Sequence, residues 1–211
     1  LSHNGKFLCS GGEHGEVRVW ELRTRQMGLH LKQHTMAVTC LQIARDDAQL
    51  FSSSRDGSII CWSLGQGVRT RSLVQKMGGI NCIALHPDGL RLLSVGQERK
   101  ITYWDVREGK PLQSQPLPGE QLAIALSADG ALYATGGTEC LLRLWDFATG
   151  ELIAEGLGHS SAIRSLAFSP DGRQVVSVGD DRAALIWNIY YMDQGGAAAL
   201  GEPEPAPGAA P

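Results

Sequence analysis

The five tryptophans of this chain stand at positions 20, 62, 104, 145 and 187, separated by 42, 42, 41 and 42 residues. Spacing this regular leaves few folds open, because one structural unit must be built repeatedly along the chain. A second marker keeps the same register: Asn4-Gly5, Asp46-Asp47, Asp88-Gly89, Asp129-Gly130 and Asp171-Gly172. Such pairs favour tight turns, since Gly, Asn and Asp tolerate positive φ. Two markers sharing one register make chance recurrence untenable.

Each period reads as four short strands. In the second unit the strands are predicted at 38–43, 50–54, 58–64 and 68–74, and "IRSLAF", "QVVSVG" and "ALIWNI" repeat the first three in the last unit. The inner strands are apolar at successive positions rather than alternating, as in "SIICW", which suits a sheet covered on both faces. Helical periodicity is absent. An all-β repeat of four strands per period is the sequence form of a β-propeller blade.

The bulk composition adds exclusions. A net charge of −3 and a pI near 6.1 give no electrostatic case for nucleic acid or an anionic membrane, and clusters such as Arg69 and Arg71 are too sparse to change that. The cysteines, at 9, 40, 61, 82 and 140, are odd in number and lack CxxC spacing. Free, partly buried thiols in a reducing, cytoplasmic setting are expected, not a zinc ribbon or a disulfide framework. No run of about 18 apolar residues is present to make a membrane-spanning helix. The six histidines are scattered without metal-ligand spacing, and no cofactor, metal or small-molecule substrate is expected. "GGEHGE" at 11–16 resembles a phosphate loop only superficially, because no helix follows it.

The units resemble WD40 repeats: "YWDV" at 103–106 and "LWDF" at 144–147 supply the dipeptide, and Gly158-His159 supplies the GH pair. The resemblance covers residues 1–189. Two units hold a fuller set, His34, Ser52, Asp56 and Trp62, and His159, Ser177, Asp181 and Trp187, with histidine 28 and aspartate 6 residues before the tryptophan. Serine, histidine and aspartate together suggest a hydrolase. Against this, the set occurs twice and lacks a G-x-S-x-G elbow. Buried Trp and Ser also need hydrogen-bond partners. The WD40 resemblance implies a structural network in which the aspartate ties a turn to the histidine-bearing loop, so no catalytic residue is expected. Trp20, Trp104 and Trp145 mark units without the set, where His14, Glu98 and Glu139 take the aspartate position.

Five blades are expected, at about 1–33, 34–76, 77–117, 118–156 and 157–189. Residues 1–5 align with the end of a first strand and its turn, so the chain is expected to begin inside a blade. After Tyr190 and Tyr191 no fourth strand of the usual pattern is legible, and the Pro/Ala/Gly-rich segment 190–211 is expected to be a disordered tail. With Leu1 in place of methionine and WD40 propellers usually closing with seven blades, an incomplete propeller with blades upstream is expected. Closure with five is the alternative.

"GGEHGEVRVWEL", "RKITYWDV", "LKQHTMAVTCL" and "GHSSAIRSLAFSPDGRQVVSV" further resemble the cilia- and flagella-associated protein 52 family, in the C-terminal part of its second propeller. That resemblance implies a non-enzymatic scaffold in the lumen of axonemal doublet microtubules of the cilium or flagellum. Its implied partners are tubulin and neighbouring inner-junction proteins. Loop residues on one rim are the expected contacts: Met36 and Ser161 after the histidines, and Arg55, Gln97 and Asp180 before the turn position. Competing readings are a general WD40 adaptor, such as a ubiquitin-ligase substrate receptor or signalling scaffold, and a propeller enzyme. The enzyme would need a centrally directed cluster of acids or histidines.

Overall fold

A computed structural model of the protein describes residues 1–75, 77–191 and 198–206. Among the described residues there are strands and turns and no helix. The chain divides into two compact units, Leu1–Pro116 and Leu117–Pro211.

The first unit holds three antiparallel sheets. The first has three strands, β1 (Phe7–Gly11), β2 (Glu16–Glu21) and β3 (Gln26–Lys32), and β1 answers to the second strand of the other sheets. Two four-stranded meanders follow: β4 (Val38–Ile43), β5 (Gln49–Ser54), β6 (Ser58–Ser63) and β7 (Val68–Val74), then β8 (Ile80–Leu85), β9 (Arg91–Gly96), β10 (Lys100–Asp105) and β11 (Lys110–Pro116). The second unit contains β12 (Gln121–Leu126), β13 (Leu132–Gly137), β14 (Leu141–Asp146) and β15 (Leu152–Leu157). It also contains β16 (Ile163–Phe168), β17 (Gln174–Gly179), β18 (Ala184–Tyr191), β19 (Ala198–Leu200) and β20 (Glu204–Pro205). Strands of the second repeat fall within one residue of the sequence-based ranges.

Successive apolar residues are used in β5, β6, β9, β10, β13 and β14 because both faces of these strands are covered, whereas β2 and β17 alternate between buried and less buried positions. From β6, Ile60 and Trp62 pack with Val17, Val19 and Leu31 of the preceding sheet. Ile59 and Cys61 face the other way, toward Ile80, Ile83, Leu92 and Trp104 of the next. The second unit repeats the layer, with Leu142 and Leu144 against Val175, Trp187 and Ile189. Trp62, Trp104 and Trp187 are among the largest fully buried side chains. Burying an aliphatic or aromatic side chain at this depth contributes about 1.5–3 kcal/mol as an upper estimate. The outer strands β7 and β11 are mostly exposed and carry the polar residues.

Left-handed backbone recurs at two turn positions in each of the five repeats. Five residues before each tryptophan stand Gly15, Gly57, Arg99, Cys140 and Arg182, all with positive φ. Gly5, Asp47, Gly89, Gly130 and Gly172 do the same in the first turn. In that turn the side chain of Asn4, Asp46, Asp88, Asp129 or Asp171 accepts from the amide two residues on, so the first residue of each marker pair is an Asx-type clasp.

The tail departs from expectation. Residues 198–206 are not a free coil: Ala198–Leu200 pair with Ile189–Tyr191, and Glu204 and Pro205 pair with Ile186 and Leu185. Gly201 N donates to Asn188 O at 2.8 Å, Ala206 N donates to Ala184 O at 2.8 Å, and Leu200 packs into the apolar layer. Together β19 and β20 fill the place of a fourth strand. Backbone amides and one leucine supply this pairing, so a segment poor in β-formers can still make it. Prolines are tolerated because the strand lies at an edge. The parts of the predicted tail at 192–197 and 207–211 lie outside the described residues.

Candidate functional site

One hydrogen bond recurs in every sheet: the tryptophan indole N–H donates to a hydroxyl ten residues earlier. The pairs are Trp20 to Ser10 at 3.3 Å, Trp62 to Ser52 at 2.8 Å, Trp104 to Ser94 at 2.8 Å, Trp145 to Thr135 at 3.0 Å, and Trp187 to Ser177 at 2.8 Å. Ser10, Ser94 and Thr135 were missed by sequence reasoning, although a Ser or Thr ten residues before each tryptophan is visible in the chain.

In two sheets the hydroxyl continues into a longer chain. Ser52 Oγ lies 2.8 Å from His34 Nε2, and His34 Nδ1 lies 3.1 Å from Asp56 Oδ2. The corresponding distances for Ser177, His159 and Asp181 are 2.7 and 2.8 Å. Indole can only donate and an ionised carboxylate can only accept, which fixes every proton between them. Trp62 donates to Ser52, Ser52 donates to His34 Nε2, and neutral His34 donates from Nδ1 to Asp56. Burial holds the His34 pKa below its ordinary value, partly offset by the charge of Asp56, so the neutral form is the resting one.

The aspartate is a clamp between the turn and the loop. Asp56 Oδ2 also accepts from Thr35 N at 2.9 Å, while Oδ1 accepts from Ser58 N at 2.9 Å and from Ser58 Oγ at 2.6 Å. Asp181 accepts from Ser160 N at 2.9 Å and Ala183 N at 3.0 Å. Burial pushes both carboxyls up, but these bonds outweigh it and leave their pKa values below the usual range. Gly15 makes room for the His34 loop, since a Cβ there would meet His34 O at 2.2 Å, and Gly57 makes room for the next connection, where a Cβ would meet Gly78 O at 2.9 Å.

The spacing of hydroxyl, imidazole and carboxylate resembles a hydrolytic triad, but the chemistry differs. Ser52 and Ser177 are fully buried, and each oxygen already accepts from an indole, so neither reaches a substrate carbonyl. Other sheets solve the same turn differently. Glu98 accepts from Met77 N at 2.7 Å, the backbone position held by Asp56 and Asp181 in their sheets. Glu139 pairs with buried Arg143 at 2.6 Å, and Arg143 also reaches Glu155 at 2.7 Å. Arg143 has no counterpart in the sequence-predicted set.

The expected contact residues gather at the same sheet ends as the clamps. Met36 and Arg55 are both exposed and close together: Ser54 Oγ donates to Met36 O, and Arg55 N donates to Ala37 O. Gln97 is exposed, with Oε1 accepting from Gly79 N at 2.9 Å. In the second unit Asp180 N donates to Ala162 O beside half-buried Ser161, and the Asp180 carboxylate takes a two-pronged bond from Arg164 at 2.6 and 2.8 Å. At the opposite ends of the second and third sheets lies a cavity of about 520 Å³, lined by Arg45, Arg71 and Arg107 with Asp46 and Asp88. Among the described residues no cluster of three or more His, Cys, Asp or Glu side chains is placed to hold a metal ion.

The model of the WD domain, G-beta repeat, matches residues 1–21, 26–63, 67–105 and 150–188, more than half of the chain. Cilia- and flagella-associated protein 52 of Homo sapiens is 32% identical over 190 residues, spanning 88% of this chain and 30% of that protein. The Mus musculus protein of the same name gives the same values. The chain therefore spans about a third of the length of these curated relatives. The β-propeller domain of Cps50 (Swd1) from Myceliophteria thermophila superposes with a TM-score of 0.84, covering 95% of this chain and 68% of that one at 23% identity, which is likeness of fold. Five tryptophan–hydroxyl pairs, two histidine–aspartate clamps and the matched repeats agree: the chain belongs to the WD40 repeat family and is built as a β-propeller-type interaction scaffold.

Proposed function

We propose that this chain is a non-enzymatic structural scaffold of the ciliary or flagellar axoneme. In this role it lies inside the doublet microtubules and binds tubulin and neighbouring inner-junction proteins. The observation that carries this reading is the 32% identity to cilia- and flagella-associated protein 52, sustained over 88% of the chain and not confined to one repeat. Physical character supports it. Buried tryptophan–hydroxyl bonds stiffen the second to fifth sheets, and a stiff sheet presents its loops with little ordering cost on binding. The Met36–Arg55 pair fits a contact surface, since exposed Met and Arg are enriched where protein interfaces form.

Co-sedimentation of the purified chain with axonemal doublet microtubules tests the proposal. Saturable pelleting, weakened by Met36→Ala with Arg55→Glu, is expected. A chain that stays in the supernatant, and a tagged copy washed out of detergent-extracted axonemes, would refute it in favour of a general WD40 adaptor.

A further inference from the structure

Cys40 and Cys82 occupy the same place in successive repeats, the third residue of β4 and of β8. The corresponding residues of β12 and β16 are Ala123 and Ser165, so this thiol pair belongs to the second and third sheets alone. Strands β4 and β8 lie side by side, and side chains bind one to the other. Thr39 Oγ1 donates to Ile80 O at 2.8 Å, and Gln42 Nε2 donates to Ile83 O at 3.4 Å. Between these tethers the Cys82 thiol donates to Cys40 Sγ at 3.7 Å. Both thiols are half-buried, and neither is in a disulfide.

We propose that Cys40 and Cys82 form an oxidant-sensitive dithiol site that closes to a disulfide between neighbouring sheets when a hydroperoxide reaches it. Two sulfurs at van der Waals contact need to approach by only about 1.7 Å to reach bonding distance. The tethers on either side keep the strands from drifting apart meanwhile. The Cys40 thiolate attacks the hydroperoxide, forming an S–O bond as the O–O bond breaks. The departing alkoxide takes a proton and leaves as an alcohol or, from hydrogen peroxide, as water. Cys82 then attacks Cys40 Sγ, the S–S bond forms, and hydroxide leaves to become water with the Cys82 proton. The two thiols lose two electrons and the peroxide gains them. The hydrogen bond from Cys82 holds the Cys40 pKa at about 7, which supplies thiolate at neutral pH. Cys61 offers a contrast, since burial pushes its thiol up to about 12 and leaves it inert.

Trypsin places every cysteine in a separate peptide, with Cys40 in 33–45 and Cys82 in 77–91, so the wild-type chain suffices for the test. After treatment with hydrogen peroxide and alkylation under denaturing conditions, two of the five thiols should be lost. The 33–45 and 77–91 peptides should appear joined, two hydrogens lighter than their sum, and separate on reduction with dithiothreitol. In Cys82→Ser the stranded sulfenic acid on Cys40 should be trapped by dimedone. Recovery of the two peptides singly alkylated after oxidation overturns the proposal. So does oxidation of wild-type Cys40 to sulfinic acid without linkage, or crosslinks that join other cysteines instead.

Discussion

Ser52→Ala isolates what the buried network contributes. The hydroxyl is fully buried and serves two neighbours at 2.8 Å: it accepts from Trp62, which is 1% exposed, and donates to His34, which is 4% exposed. Alanine leaves an indole N–H and an imidazole nitrogen without partners in a place water does not reach. An unsatisfied buried polar group costs about 1–3 kcal/mol, so a loss of about 2–6 kcal/mol is expected for the pair. The same residue position supplies graded controls. Ser94 serves Trp104, and Ser94→Ala should cost about 1–3 kcal/mol, one partner instead of two. Ser10 is exposed and its bond to Trp20 is 3.3 Å, so water replaces it, and Ser10→Ala should stay within about 0.5 kcal/mol. Urea unfolding of the three variants, followed by circular dichroism, gives the comparison. Equal midpoints for Ser52→Ala and Ser10→Ala would refute the reasoning, because burial and partner number would then play no part.

Asp56→Ala removes the acceptor of Thr35 N and Ser58 N and leaves His34 Nδ1 with Ser58 Oγ alone, and should cost about 1–3 kcal/mol. Asp181→Ala should act in the same direction, and unchanged thermal midpoints in both would remove the clamp assignment. Stability should fall with acid in two stages. His34 has a folded pKa below its ordinary 6.5, so as pH drops under 6.5 the unfolded chain takes up a proton the native chain refuses. The depressed carboxyls Asp56 and Asp181, and Asp88 at about 2, lose their contribution below about pH 4. In His34→Gln the slope of urea midpoint against pH just below 6.5 should flatten, and an unchanged slope would contradict the neutral-histidine chain. Gly15→Ala should destabilise far more than Gly5→Ala. Both glycines have positive φ, but only at Gly15 does a Cβ collide with backbone, 2.2 Å from His34 O, whereas nothing lies within 4 Å of one at Gly5. Removal of residues 198–211 should raise amide exchange across 184–191 severalfold in hydrogen-exchange mass spectrometry, and exchange identical to the intact chain would rule out the docked tail.

The sequence by itself determined the number of sheets, the places of the turns and the strand positions up to residue 191. Each depends on local chemistry that recurs: tryptophan every 42 residues or so, Asx-Gly or Asp-Asp pairs in register, and apolar runs that need cover on both faces. His34, Ser52, Asp56 and Trp62 were legible as a set because His159, Ser177, Asp181 and Trp187 copy their spacing. Only the tertiary structure decided matters that depend on which repeat a residue meets. A pattern shows that Ile59 and Ile60 are both buried, but not that they face different neighbouring sheets. The fourth strand of the last sheet was hidden because backbone pairing and one leucine hold it, and hydrophobic patterning cannot register backbone hydrogen bonds. The Cys40–Cys82 contact was hidden for a related reason. Their 42-residue separation is simply the period, and it becomes a 3.7 Å contact only once sheet packs against sheet.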